Sequence, residues 1–356
     1  MPDLTLGGGV SNYYKTLKLD SNNNIYYFII NSKKSESAFK TGFSLFYKYC
    51  AFISLLIKNR YSVVISNPSL EGKGKSFYRE MIFIFISNLL NRKTIVFFRG
   101  WAEPFEEKIK KSKFISFLFK LSYAKAKGYI VLGNIFKNKL INLGVPKETK
   151  FFIETTVADS KYINDINLNN KILSYEDEIK FLFLSRVEKI KGIYIAIDAF
   201  NEFKNKFPGK KCSLIIAGEG PDLNAVKKYV EQKSICNIEF AGYVSGELKR
   251  KILLESHVML FPSYTEGMPN TILEGMLYAM PIISRSVGGI PEIINQNTNG
   301  FITESYSSSA FTEFLEKIAF DKALYKNIAT TNHDIATKKF TSEKVKERIL
   351  NILSEV

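Results

Sequence analysis

Apolar residues along this chain fall into short continuous runs separated by longer stretches with helical spacing. Residues 25–30 (Ile-Tyr-Tyr-Phe-Ile-Ile), 63–66, 94–98 and 128–132 are runs rich in β-branched or aromatic residues, the signature of buried strands. Residues 44–58 and 77–90 carry the wider apolar faces of helices between them. A second series opens at Ile179. Strands are expected at 180–184, 213–217, 238–241, 258–262 and 281–284, alternating with helices at 193–203, 223–233, 247–255 and 270–279. A last helix is expected at 342–355. Strands alternating with helices in this way predict parallel α/β architecture, doubly wound in the second series, with its site at the carboxyl ends of the strands. Residues 161–178 hold Asn164, Asn167, Asn169 and Asn170 and few apolar positions, which predicts a linker. The chain thus divides into 1–165, a linker at 166–178, a second domain at 179–335, and a C-terminal helical segment at 336–356.

The length of 356 residues suits two medium domains, and 46% hydrophobic residues suffice for two cores. Charge separates the halves. The first 170 residues hold 26 basic and 12 acidic side chains, whereas the rest hold 24 and 23, so nearly all of the +15 net charge lies in the first half. That half is expected to face an anionic surface, either a membrane or nucleic acid. Residues 108–139 carry nine lysines and no acid, with Phe114, Ile115, Phe117, Leu118, Phe119, Leu121 and Tyr123 threaded among them. This reads as a basic amphipathic helix for a membrane surface or a phosphate-bearing lipid, or equally as a solvated face over an ordinary core. Cys50, Cys212 and Cys236 are too scattered for a disulfide framework and indicate a reduced compartment, and His257 and His333 are too few for a histidine-rich metal site. No secretory segment is read in residues 1–20, and the apolar runs at 43–57 and 81–90 are interrupted or too short for a bilayer. A soluble or peripheral protein is expected.

The candidate chemistry lies mostly in the second series. Arg186 ends a strand, and Lys191 follows five residues later, just before Gly192 and a predicted helix. Two cations near free helix N–H groups suit a diphosphate. The turn Gly218-Glu219-Gly220-Pro221 follows a buried strand and permits close backbone approach, either to a ligand or within an ordinary turn. Glu266 sits in the loop Glu266-Gly267-Met268-Pro269, where a carboxylate can accept hydrogen bonds from sugar hydroxyls. Asn270 and Glu274 are one helical turn apart on a mostly apolar helix. A carboxylate there either reaches out to solvent or binds something specific, such as two ribose hydroxyls.

These blocks occur together. Arg186–Lys191, Gly218–Pro221, Ala241-Gly242-Tyr243-Val244, Glu266–Glu274 and Val287-Gly288-Gly289-Ile290-Pro291-Glu292 occupy about 110 residues in an order that resembles the donor domain of retaining glycosyltransferases of group 4. The resemblance implies the GT-B fold, two Rossmann-like domains facing across a cleft. The first (1–165) would bind the acceptor and the second (179–335) the nucleotide sugar, with the terminal helix crossing back onto the first. It also implies that Arg186 and Lys191 bind the donor diphosphate, that Glu274 holds the ribose, and that Glu266 contacts the transferred sugar. Gly267, Met268, Pro269 and Asn270 would bring backbone toward sugar and phosphate, Gly218 and Gly220 would belong to the donor site, and Tyr243 and Val244 would flank the base.

In the first domain, Gly7-Gly8-Gly9-Val10-Ser11-Asn12 resembles the family's glycine loop, with Gly8 and Gly9 against the diphosphate. The strand that precedes this loop in the family is reduced here to residues 3–6, through abbreviation or through a start downstream of the true one. At Phe98-Arg99-Gly100-Trp101-Ala102-Glu103 many relatives have a histidine. This chain offers Arg99, for phosphate charge or acceptor orientation, and Glu103, as a proton acceptor. The alternatives are an interdomain salt bridge for Arg99 and packing for Trp101.

The resemblance therefore implies a retaining hexosyltransferase that uses a nucleoside diphosphate sugar, UDP-linked by family frequency, without a cofactor or metal. The acceptor would be a hydroxyl on a glycan or polyprenyl-diphosphate-linked glycan, as in bacterial polysaccharide or lipopolysaccharide synthesis. The protein would be cytoplasmic or peripheral on the inner membrane's cytoplasmic face, with an anionic membrane surface and no nucleic acid as partner. Competing readings are a sugar-nucleotide epimerase or phosphorylase on the same scaffold, an inactive transferase-like protein, and a basic nucleic-acid-binding protein.

Overall fold

The computed structural model describes residues 4–5, 9–22, 24–30, 38–59, 61–69, 75–159 and 166–356. The chain forms two compact units, Met1–Thr155 with Val345–Val356, and Thr156–Lys344.

The first unit runs α1 (Gly9–Leu17), α2 (Ala38–Asn59), β1 (Val63–Ser66), α3 (Lys75–Leu89), β2 (Lys93–Phe97), α4 (Glu103–Lys111), α5 (Lys113–Leu121), β3 (Gly128–Val131), α6 (Asn134–Asn142) and β4 (Lys150–Ile153). Its strands are all parallel, in the order β1-β2-β3-β4. Ile95, Val96, Phe97, Tyr129, Ile130 and Val131 form the buried middle of that sheet.

Two expectations fail in this unit, each for a physical reason. Residues 25–30 pair with no strand, although their composition favours β. Along one edge β1 has no partner among the described residues. Residues of β1 and of 25–30, together with Phe52 and Phe83, line an apolar cavity of about 380 Å³. Strand propensity without a neighbouring ladder leaves only extended coil. Residues 108–139 are not one helix. The Ser112 side chain accepts the Ile115 N–H and starts a new helix there, and residues 128–131 are a buried inner strand. Ile115, Phe119 and Tyr123 are core, and only Phe114 and Phe117 of the aromatic set stand in solvent. The short strand expected at residues 3–6 lies mostly outside the described residues, with Leu4 and Thr5 in a turn.

The second unit runs α7 (Leu168–Asp177), β5 (Ile179–Leu184), α8 (Ile193–Lys206), β6 (Cys212–Ala217), α9 (Leu223–Gln232), β7 (Ile238–Gly242), α10 (Gly246–Glu255), β8 (Val258–Phe261), α11 (Asn270–Leu277), β9 (Ile282–Arg285), β10 (Gly300–Thr303), α12 (Ser308–Phe320) and α13 (Lys322–Lys339). The sheet order is β10-β9-β8-β5-β6-β7, all parallel. The order reverses at β5, which lies between β6 and β8, and such a switch point opens a crevice at the strand ends. Phe181, Phe183, Phe200, Phe203, Leu214 and Phe301 anchor the core. Most of residues 166–178, expected as a linker, form α7. Asn167 caps it by accepting the Asn170 N–H, and Lys171, Ile172 and Tyr175 are buried. The helix was hidden because a lysine fills one of its three inward positions. The chain ends in α14 (Ser342–Glu355), whose residues from Val345 onward belong to the first unit.

Candidate functional site

The loops at the carboxyl ends of β5, β6, β8 and β9 are stitched together backbone to backbone. The Val187 N–H donates to Glu219 O at 3.0 Å, and the Asp222 N–H donates to Val187 O at 3.2 Å. A Cβ on Gly218 or Gly220 would overlap the Ser185 or Val187 carbonyl, so these glycines let the β5 and β6 loops close on each other. Gly192, at φ +77°, closes the switch point in the same way, because a Cβ there would overlap the Pro262 carbonyl. The Tyr264 N–H donates to Ile190 O at 2.9 Å, tying the β8 loop to the turn that carries Lys191.

Within this frame two of the sequence-predicted charges meet each other, and the others find partners that the sequence did not single out. Lys191 Nζ lies 2.6 Å from Glu266 Oε1, and their side chains are 16% and 10% exposed. Glu266 is held from behind by the loop after β9. The Gly289 N–H donates to Gly267 O at 2.6 Å, and Gly288, at φ +58°, leaves no room for a Cβ beside the Glu266 carbonyl. Met268 is buried, and its carbonyl accepts from Thr156 Oγ1 at 3.1 Å. Pro269 caps α11 and Asn270 opens it, so the helix N-terminus follows directly on the Glu266 loop. Arg186 is the outlying cation, with 69% of its side chain exposed and Nη1 2.8 Å from Glu188 Oε1.

One turn into α11, Glu274 is buried, with Oε1 2.6 Å from Lys249 Nζ on α10. Burial raises its pKa, and Lys249 and a backbone hydrogen bond from Asp159 oppose the rise. Neither Lys249 nor Asp159 was anticipated. Lys249 lies 25 residues away in a run of surface-like charges, and only the need of a buried carboxylate for a counter-charge points to it. At the end of β7, Tyr243 is exposed and Val244 buried, while Gly242 O accepts the Gly218 N–H at 2.7 Å.

Other predicted residues lie in the first unit or outside the described residues. Gly8 is among the latter, and Gly9 opens α1. Arg99 follows β2, its guanidinium 3.9 Å from the centre of the Tyr13 ring and 4.5 Å from that of Phe97. Burial lowers its pKa, and among the described residues Arg99 Nη1 has no hydrogen-bond partner. Glu103 is largely exposed, 3.4 Å from Lys139 Nζ. The buried carboxylate of this segment is Glu106, which accepts from Trp101 Nε1 at 2.7 Å and pairs with Lys110 and Lys139. Trp101 also packs against Phe98 and Phe136. Among the described residues, no three His, Cys, Asp or Glu side chains are grouped as metal ligands.

Residues 164–333 match the family described as glycosyl transferases group 1, a span that lies inside the second unit and holds the pairs Arg186–Glu188, Lys191–Glu266 and Lys249–Glu274. The second unit belongs to that family. The capsular polysaccharide biosynthesis glycosyltransferase CapM of Staphylococcus aureus is 25% identical over 228 residues, covering 62% of this chain and 57% of that one. The chain spans about half the length of the first curated relatives it matches. Among solved structures, Anabaena Alr3699/HepE in complex with UDP superposes with a TM-score of 0.67 at 16% identity, over 87% of this chain and 82% of that one. The lipopolysaccharide outer core galactosyltransferase WaaB, in its apo form, has a TM-score of 0.67 at 16% identity over 100% and 98%. These likenesses establish the GT-B fold class for the two α/β units, with the group 1 domain as the second of them.

Proposed function

We propose that the protein is a retaining glycosyltransferase that moves a hexose-type sugar from UDP to a hydroxyl of a glycan or polyprenyl-diphosphate-linked acceptor at an anionic membrane surface. The observation that carries this reading is the pair of ion pairs, Lys191–Glu266 and Lys249–Glu274, aligned from the switch point into α11. Each joins a cation and a carboxylate that a nucleotide sugar would address separately. Glu274 would accept the two ribose hydroxyls while Lys249 keeps it ionised. Glu266 would accept hydroxyls of the transferred sugar, releasing Lys191 toward the diphosphate, where Arg186 joins it. The amides of Gly267–Asn270 at the start of α11 favour negative charge.

Charge develops on the diphosphate as the bond from the sugar's anomeric carbon to the phosphate oxygen breaks. Arg186 and Lys191 would stabilise it there without a metal. The acceptor oxygen bonds to the anomeric carbon on the face the nucleotide leaves, and its proton passes to a phosphate oxygen, so that UDP departs and configuration is retained. Arg99, whose Nη1 has no hydrogen-bond partner among the described residues, is proposed as an anion contact on the acceptor side, and Glu103 as an alternative proton acceptor. Gly8 and Gly9 would add backbone amides to the diphosphate. UDP is favoured because the superposed Anabaena protein was solved with UDP. We place the protein in the cytoplasm, peripheral on the inner membrane.

Calorimetric titration of UDP and of GDP, with the natural protein and Glu274→Ala, tests the donor site. UDP should bind, and the variant should lose at least tenfold in affinity, about 1.4 kcal/mol. Failure of both nucleotides to bind folded protein would refute the donor assignment, and preference for GDP would replace the nucleotide.

A further inference from the structure

Arg285, the last residue of β9, is 5% exposed and pairs with no carboxylate among the described residues. Its Nε donates to Ser305 O at 3.1 Å and its Nη2 to Glu304 O at 2.8 Å, while Nη1 has no hydrogen-bond partner among those residues. Aromatic rings take the place of a counter-charge. The guanidinium carbon lies 3.6 Å from the centre of the Tyr306 ring and 5.8 Å from that of Tyr264, and the two rings meet edge to face at 5.0 Å. A planar guanidinium can donate in its own plane and lie over a ring at the same time, which an ammonium cannot.

This side chain joins three loops at the carboxyl end of the sheet, because β9 lies between β8 and β10. From the middle strand, Arg285 holds the carbonyls of the turn after β10, and that turn presents Tyr306. Tyr264 belongs to the loop after β8, two residues before Glu266. Its N–H donates to Ile190 O, beside Lys191, and the buried Ser263 hydroxyl donates to the same carbonyl at 3.4 Å. The chain that leaves Arg285 becomes the Gly288–Gly289 loop behind Glu266. Residues 262–269 contain no helix or strand. With no repeating hydrogen-bond ladder to fix Glu266, its place depends on the neighbouring loops, and a carboxylate that must meet sugar hydroxyls tolerates little displacement.

We infer that Arg285 is a positioning residue of the donor site. Through the Tyr306 and Tyr264 rings it braces the loop that carries Glu266 and the turn that carries Lys191, and so sets the sugar end of the donor rather than its ribose end. Buried as it is, Arg285 acts through these loops and not by touching the ligand. The inference rests on the proposed donor site, but its first readout needs no ligand. Amide exchange followed by mass spectrometry compares the full natural chain with Arg285→Lys, Tyr306→Leu and Tyr306→Phe. Tyr306 is 60% exposed, so its substitution leaves the core intact. In Arg285→Lys and Tyr306→Leu, the peptides holding the Tyr264 and Gly289 N–H groups should exchange at least tenfold faster, with α11 and β5 unchanged. Tyr306→Phe keeps the ring and should match the natural protein. Calorimetry on the same preparations should show UDP-glucose affinity lowered at least tenfold in the first two variants and UDP affinity lowered several-fold less. Unchanged exchange in both variants, faster exchange throughout the second unit, or equal losses for the two ligands would overturn the assignment. If the exchange pattern holds while the natural protein binds neither ligand, the donor reading falls and the brace on the Glu266 loop stands.

Discussion

His257 illustrates what burial does to a titratable side chain here. Its Nδ1 accepts the Lys180 N–H at 3.0 Å, which puts the proton on Nε2, 2.9 Å from Ser174 Oγ. Burial, with Lys171 and Lys180 facing it, pushes its pKa down to about 3. A depressed histidine pKa means that the unfolded chain takes the proton first. Stability is therefore full above the ordinary value near 6.5 and is lost as pH falls from there toward 3. From pH 7.5 to pH 5 the loss attributable to this one group is about 2 kcal/mol. Denaturant unfolding at the two pH values should show His257→Gln losing that much less than the natural protein, and identical losses would remove His257 from the account. The same contrast governs what the chain discloses. Arg186, Lys191, Glu266 and Glu274 are legible because loop glycines and an apolar helix frame them. Nothing in the pattern marks the roles of His257 and Lys249, because the groups that make them matter are brought close only by folding.

At the scale of elements, strands and helices with strong apolar periodicity are found where the pattern places them, within a few residues at their ends. The misreadings have physical causes. Residues 25–30 have strand composition but no ladder, and α7 has linker composition because Lys171 points inward and donates to Leu253 O and Leu254 O at the end of α10. The glycines are legible as turns, yet what they serve is close approach between loops. Gly288 is the sharpest case, since a methyl group would meet the Glu266 carbonyl in a backbone conformation already costly for L-residues. Gly288→Ala should cost about 2 kcal/mol of stability and displace the Glu266 loop, while Glu274 stays buried on α11. UDP keeps the Glu274 contact and loses only part of its diphosphate contacts, so its affinity should fall several-fold less than that for UDP-glucose, the probe sugar nucleotide, which falls at least tenfold. Parallel losses of both affinities would mean that the two carboxylates do not divide the ligand between them.

At the scale of the whole molecule, the chain's last residues complete its first unit. Arg348 on α14 pairs with Glu154, Nε to Oε1 at 2.6 Å and Nη2 to Oε2 at 2.9 Å, and Lys150 Nζ donates to Glu355 O at 2.7 Å. Glu154 follows β4 and is 5% exposed, so its charge depends on this bidentate arginine and on the Thr155 N–H. Arg348→Met keeps much of the side-chain stem but strands the carboxylate, at a cost of about 2 kcal/mol, discounted because Arg348 is itself partly exposed. The double variant Arg348→Met with Glu154→Gln removes the buried charge and should recover at least half of that loss. UDP affinity should be unchanged in both, because every residue proposed to hold UDP's uridine and diphosphate, apart from the Gly8–Gly9 loop, lies in the second unit. Thermal unfolding of the three proteins, with and without UDP, checks the ordering. A single variant as stable as the natural protein would show that α14 is held by its apolar face, through Val345, Ile349 and Ile352, and that the arginine adds nothing measurable.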